Sequence, residues 1–260
     1  MKVVLTVAGS DSGGGAGIQA DLRTFAAHGV HGTSAITAVT AQNSVAVLDW
    51  VALDPRMVVA QMEAVASDMP VAAVKTGMLA TAAIATAVAE AIQRLRLPLV
   101  VVDPVMVAKS GDRLLDRDAE TAYRERLLPL ATVVTPNLPE AEALLGRPVR
   151  TLPEMREAAR ALHALGPRAV VVKGGHLEGD AVDVFWDGER MEDLPAPRIA
   201  TPNTHGTGCT YSAAITAGLA CGLSLLHAID RAKKFVTKSV DRHFRWTSKS
   251  GEILDALRHS

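Results

Sequence analysis

Short apolar runs recur along the chain, and between them lie segments whose apolar residues return every three or four positions. The runs at 3–8, 34–40, 72–75, 99–103, 132–135 and 169–173, β-branched or Leu-rich, predict strands. Segments 16–28, 55–66, 82–95, 116–128, 140–145, 153–165, 208–222 and 225–243, many of them Ala-rich, predict helices. This alternation argues for βαβ units and a mostly parallel sheet. The predicted strands are apolar on both faces, which suits a sheet covered by helices on both sides. Residues 182–187 and 190–193 bracket the turn signal Asp187-Gly188 and predict an antiparallel hairpin near one edge. The last ten residues, 251–260, have the look of a short amphipathic helix. No Gly/Ser-rich linker, low-complexity segment or fixed-period repeat divides the 260 residues, so one domain spanning 1–260 is expected.

Composition changes this picture only at its margins. Aromatic residues are 3% of the chain, so aliphatic side chains and Ala must fill the core of a layered helix–sheet fold. With 27 Lys and Arg against 28 Asp and Glu the net charge is −1, too weak a field for nucleic-acid binding. The densest basic stretch, 231–238, is spaced like the solvated face of a helix. Cys209 and Cys221 have neither CxxC spacing nor a Cys/His cluster around them, which argues against a zinc site or a disulfide scaffold and fits a reducing cytoplasm. The N-terminal apolar run is too short for a secretion signal, and 212–223 is too short to cross a bilayer. A small-molecule ligand is expected, with no nucleic acid and no membrane.

Ligands of open α/β sheets bind beyond the carboxyl ends of the strands. The polar and Gly-rich segments fall there: 9–17, Gln42-Asn43, 75–79, 104–111, 136–140 and 174–179. Segment 9–17 carries Gly9, Gly13, Gly14, Gly15 and Gly17, which let backbone N–H groups approach a ligand at a helix start. Its spacing matches neither a dinucleotide fingerprint nor a P-loop, and taken alone it reads equally as a tight turn. A second run, Asn203-Thr204-His205-Gly206-Thr207-Gly208-Cys209-Thr210, leads straight into an apolar helix. Consecutive N–H groups at a helix start form a nest for the oxygens of a transferring phosphoryl group. Cys209 falls in the first helical turn, where the helix dipole can lower a thiol below its reference of about 8.5 and suit it as a base or acceptor for a substrate hydroxyl. Cys221 reads as a small buried hydrophobe. Glu140 begins another helix, where the macrodipole alone would favour it, or where it could hold a magnesium-bound water near phosphates. Asp103 and Lys173 each end an apolar run. The Lys suits phosphate charge, the Asp must be paired or face a cleft, and a structural bridge between the two is an open alternative.

Taken in order from about residue 3 to residue 240, segments 9–19, Thr40-Ala41-Gln42-Asn43-Ser44, Lys75-Thr76-Gly77-Met78-Leu79, 103–111, 135–141, 173–177 and 203–210 resemble the hydroxymethylpyrimidine kinase/phosphomethylpyrimidine kinase family of the ribokinase-like superfamily. Segments 40–44 and 203–210 are specific to it, since most sugar kinases of the superfamily carry Asp where this chain has Cys209. The resemblance implies an α/β, ribokinase-like fold with a mostly parallel sheet of about eight strands and helices on both faces. It implies ATP and Mg2+, with two successive phosphorylations of a hydroxymethylpyrimidine towards thiamine. Carried over by position, Gln42 would hydrogen-bond the aminopyrimidine edge, with Gly9, Asp21 and Met78 helping to form that pocket. Cys209 would act on the hydroxyl, with Gly206, Thr207 and Gly208 as the anion hole. Lys173, Asn203 and Thr207 would contact ATP, and Asp103 and Glu140 would lie near magnesium. A homodimer is implied, to which helix 225–243 could contribute. A pyridoxal or pyridoxine kinase and a non-catalytic pyrimidine sensor are the alternatives. The chain departs from the family pattern at Pro202, where Lys or Arg is usual, and in its C-terminus, which lacks the usual Gly/His/Pro-rich ending.

Overall fold

The computed structural model describes residues 1–106, 117–175, 177, 180–199, 205–249, 251 and 253–260, the side chains of 117–119 excepted. The first half runs β1 (Val3–Asp11), α1 (Gly17–Ala27), β2 (His31–Gln42), β3 (Val47–Ala52), α2 (Pro55–Asp68), β4 (Val71–Thr76), α3 (Ala82–Arg94) and β5 (Val100–Val102). It continues with α4 (Arg117–Ala122), a π-helical turn (Tyr123–Leu127), β6 (Val133–Val134), α5 (Leu138–Leu145), α6 (Leu152–His163) and β7 (Val170–Val172). Then come β8 (Asp183–Trp186), β9 (Met191–Leu194), α7 (Thr207–Ala220), α8 (Leu225–Asp241), β10 (Phe244–Thr247) and β11 (Ile253–Ala256).

Strands β1 to β9 form one sheet in the order β3-β2-β1-β4-β5-β6-β7-β8-β9. The six from β2 to β7 are parallel, and β3, β8 and β9 are antiparallel additions at the edges. Alternate strand residues face opposite helix layers. Val101, Val133 and Val171 pack with Tyr211, Ile215 and Ile229 of α7 and α8. Val100, Val102, Val134 and Val172 pack on the other face with Ile84, Val88, Leu144 and Met155. Helix α7 is buried on every side from Thr210 to Ala220, as expected of a helix that is apolar all round. Its small residues let α8 close on it: a Cβ on Gly218 would lie 3.0 Å from that of Ala228.

Three features differ from the sequence reading. The sheet has nine strands because β3 pairs with the end of β2. Its Leu48 and Val51 are 74% and 64% exposed, so burial imposed no legible pattern on that edge. Cys221 is exposed at the end of α7 and is not a buried hydrophobe. The C-terminus forms no helix: β11 pairs antiparallel with β10, and Asp255, Leu257 and His259 are buried in alternation, a period of two. Asp255 reads as polar in the sequence yet is buried because both its oxygens accept from Arg245, at 2.8 and 3.1 Å.

His259 closes this tail by a 3.0 Å hydrogen bond with Thr210 Oγ in the first turn of α7. Burial, with the nearby Arg23 charge, pushes its imidazole down from 6.5 to about 4. Between those values the unfolded chain binds a proton that the folded chain does not, so stability falls as the pH drops through this window, by up to about 3 kcal/mol. The variant His259→Asn should flatten that acid limb in thermal unfolding followed from pH 7 to 4. An unchanged slope would remove His259 as its source.

Candidate active site

Strand order reverses between β1 and β4, because the chain leaves β1 towards β2 on one side and later returns to place β4 on the other. Such a switch point opens a crevice at the carboxyl edge of the sheet. The loop after β1 and the loop after β4 meet there. A Cβ on Gly9 would lie 3.1 Å from Met78 Sδ, so Gly9 and Met78 are in contact. Gln42 ends β2 half-buried at the same edge, and the two ends of its amide lie 3.3 Å from Thr40 Oγ1 and from His205 Nε2.

Asp21 does not line this pocket. It is fully buried beneath it, accepting from Lys75 Nζ at 2.8 and 2.9 Å and from the Thr6 hydroxyl at 2.6 Å. A fully buried charge needs such a partner. Asp21 overcomes the burial of Lys75 and holds that ammonium above its ordinary value. The family resemblance implied Asp21 in the pocket; its side chain turns instead onto Thr6 of β1 and Lys75 of β4.

The carboxyl ends of β5, β6 and β7 bring a second group together. Lys173 Nζ lies 2.9 Å from Asp103 Oδ1 and 3.9 Å from Glu140 Oε2. Asp103 also accepts from Thr135 Oγ at 3.3 Å and from Ser212 Oγ at 3.2 Å. Burial would raise Asp103, but the charges of Lys173 and Lys75 outweigh it and hold the carboxyl low. Burial pushes Glu140 up to about 7, against the pull of Lys173. Glu140 closes a capping box on α5: its carboxylate accepts from Asn137 N–H at 2.8 Å, and its own N–H donates to Asn137 Oδ1 at 2.9 Å. The Asp103–Lys173 bridge therefore exists, and the helix-start role of Glu140 is real. Asp103 and Glu140 are themselves buried, and Lys173, 14% exposed at its side chain, carries the cluster to the cleft.

Helix α7 brings its N-terminus to this cluster. Gly206 is its left-handed N-cap (φ +81°), and a Cβ there would lie 1.9 Å from Gly15 O. A Cβ on Gly208 would lie 3.2 Å from Lys173 Nζ. Only glycines let the helix start wedge between the first loop and the lysine. Cys209 follows half-buried. Burial pushes its thiol up to about 11; the Lys75 charge and a Gly17 N–H pull the other way and recover only part of the shift. This reverses the expected lowering, because desolvation of the sulfur exceeds the help of the helix end. Asn203 lies outside the described residues.

A cleft of about 310 Å³ opens from this point, lined by Lys173, Lys233, Thr207 and Gly208 together with the apolar Pro197, Ile199 and Val236. A lining that combines cations with apolar side chains suits a nucleotide. Sequence reasoning missed Asp11, His205, Ser212 and the Lys75 pair, all of which join segments distant in the chain. Their one local signal was position, within or next to the glycine-rich runs.

The sequence profile of the phosphomethylpyrimidine kinase family matches residues 11–253. The chain belongs to the phosphomethylpyrimidine kinase family. It is 52% identical to the hydroxymethylpyrimidine/phosphomethylpyrimidine kinase of Synechococcus elongatus, over 94% of this chain and 92% of that one. It is 53% identical to the thiamine biosynthesis bifunctional protein ThiED of Geobacter sulfurreducens over 91% of this chain, which spans only 49% of that longer relative. An ADP complex of Bacillus subtilis pyridoxal kinase superposes with a TM-score of 0.90 at 42% identity, covering 100% of this chain and 98% of that one. The nine-stranded, helix-covered sheet of this phosphomethylpyrimidine kinase family member has the ribokinase-like architecture of these relatives. Among the described residues no helix is long and apolar enough to cross a membrane, and no group of three or more His, Cys, Asp or Glu side chains could hold a metal.

Proposed function

We propose that this chain transfers the γ-phosphate of ATP to the hydroxymethyl oxygen of 4-amino-5-hydroxymethyl-2-methylpyrimidine, and then a second phosphate to the product monophosphate, giving the pyrophosphate for thiamine synthesis. The observation that carries this reading is the place of the α7 N-terminus. It sits between the Gln42–Met78–Gly9 crevice and the Lys173 cleft, where an alcohol and a triphosphate would meet.

In this reading the adenine rests on Pro197, Ile199 and Val236, and the phosphates reach Lys173, Thr207 and Gly208. Phosphoryl transfer needs positioning and charge stabilisation more than covalent chemistry. The N–H groups of 206–208 and the positive helix end receive the oxygens of the transferring group. Cys209 orients the substrate hydroxyl, and Gln42 reads the aminopyrimidine edge with a donor and an acceptor. Magnesium characteristically uses one or two carboxylates together with substrate phosphates and waters. Asp103 and Glu140 form such a donor set, held apart from each other by Lys173, and they would hold the ion that neutralises the phosphates.

The full-length likeness to a pyridoxal kinase favours one second reading, transfer to the hydroxymethyl group of pyridoxal. ADP release with Mg-ATP should be followed in parallel on hydroxymethylpyrimidine, its monophosphate, pyridoxal and ribose. Turnover of both pyrimidines, slow turnover of pyridoxal and none of ribose is expected. Turnover of pyridoxal alone would replace the proposed substrate, and tight pyrimidine binding without turnover would leave a sensor.

A further inference from the structure

Asp11 is 3% exposed at the end of β1, and its carboxylate collects four donors. Oδ1 accepts from Gly13 N–H at 2.8 Å. Oδ2 accepts from Gly15 N–H at 3.0 Å, from Ala16 N–H at 2.8 Å and from His205 Nε2 at 3.0 Å. Three of these donors shape the first glycine loop, and the fourth belongs to the residue just before the anion hole. The two loops touch too closely for side chains: a Cβ on Gly15 would lie 2.5 Å from His205 Cδ2.

This contact reaches Gln42 by hydrogen-bond logic. An ionised carboxylate only accepts, so His205 Nε2 must carry the hydrogen that points at Asp11. The structure sets Gln42 Nε2 3.3 Å from that nitrogen and Gln42 Oε1 towards Thr40 Oγ1; two N–H donors cannot bond each other, so we assign the amide the half-turned orientation, with its oxygen towards His205 and able to share the hydrogen. The other end faces Thr40 Oγ1, whose single hydrogen is donated to Ser10 O at 2.9 Å. Towards Gln42 that hydroxyl can only accept, so the amide presents its NH2 group there. Two independent neighbours demand the same orientation, and an amide's two ends are otherwise interchangeable by a half-turn.

We propose that Asp11 and His205 are positioning residues that set the polarity of the Gln42 amide and tie it to the anion hole at 206–208. The pair leaves one amide hydrogen and one oxygen lone pair of Gln42 for a ring edge, in a fixed order. It thereby gives the site its preference for an aminopyrimidine over a ring lacking that donor–acceptor pattern, in the same loop contact that seats the phosphoryl-binding turn. This rests on the pyrimidine reading of Gln42.

The test uses His205→Leu, Gln42→Ala and the double variant, each assayed on hydroxymethylpyrimidine and on pyridoxal. With His205 replaced, the preference for the pyrimidine, as the ratio of the two kcat/KM values, should fall by about tenfold, the worth of one oriented polar contact. In the Gln42→Ala background the same replacement should leave the ratio within about twofold, because the two residues act as one unit. A structural role alone would lower both substrates equally and leave the ratio intact, and multiplicative effects on the ratio would show that His205 does not act through Gln42. Either outcome overturns the proposal. Amide hydrogen exchange of the ligand-free protein separates this from the substrate assignment. His205→Leu should raise exchange at Gly15 and Ala16 about tenfold, and unchanged exchange there overturns the pair whichever substrate the wild-type protein turns over.

Discussion

Replacing Lys173 with Met should abolish measurable ADP release and lower the melting temperature at the same time. The ammonium is the nearest cation to Asp103 and Glu140, whose side chains are 1% and 6% exposed. Removing one partner of a buried ion pair leaves an uncompensated charge and costs about 3–5 kcal/mol. Loss of the cation at the phosphates should lower kcat about 100-fold or more. The two losses separate in the double variant Lys173→Met/Asp103→Asn, which should recover stability and stay inactive. The single variant has a pH signature of its own. Without Lys173 the burial of Asp103 raises its folded pKa above the unfolded value, so stability is present at low pH and is lost as the pH rises. Thermal unfolding of Lys173→Met at pH 5 and pH 7.5 should therefore show the smaller deficit at pH 5. Full activity in either variant would remove Lys173 from phosphate handling, and an equal deficit at both pH values would show that Asp103 is held by other partners.

Cys209→Ala should lower kcat on the alcohol by about 100-fold or more, with the dissociation constants of nucleotide and pyrimidine nearly unchanged. Its effect on the second step should be much smaller. The acceptor there is a phosphate oxygen, already ionised at neutral pH because its second pKa is about 6. It needs no partner to orient or receive a hydroxyl proton. With the thiol held at about 11, a mechanism requiring the thiolate would gain about tenfold in rate per pH unit through the neutral range. A loose phosphoryl-transfer transition state makes little demand for a strong base, and the expected profile of kcat on the alcohol lacks that slope between pH 8 and 10. Equal losses on both acceptors would mean that Cys209 serves the phosphoryl group and not the hydroxyl. Loss of binding equal to the loss of turnover would end its catalytic role.

The parallel strands were legible because burial on both faces leaves continuous runs such as Val100-Val101-Val102 and Val170-Val171-Val172, a signal that needs no partner to be read. Most helices were legible for the converse reason, one buried stripe at a period near four. The elements that were missed lack such a stripe. Strand β3 is an edge that leaves Leu48 and Val51 exposed and buries Trp50 and Ala52 only in part, and β11 alternates through Asp255, whose burial depends on Arg245 ten residues away.

The site divides along the same line. Glycine at 206, 208, 9 and 15, Cys209 at a helix start, and Lys173, Asp103 and Glu140 at strand or helix ends could be named from the sequence. Backbone conformation, helix position and charge at the edge of an apolar run are local properties. What these groups do to one another depends on which segments the sheet order brings together. Strands β1 and β4 became neighbours at the switch point, placing Gly9 on Met78. Folding also set Asp21 on Lys75 beneath the pocket and joined Asp11 to His205 across 194 positions of chain, and burial raised Cys209 against the pull of its helix. Hydrogen-bond partners and local dielectric are set by neighbours in space, so the sequence alone determined the parts of this kinase and its class of fold, while only the tertiary structure decided which charges are paired and which groups are desolvated.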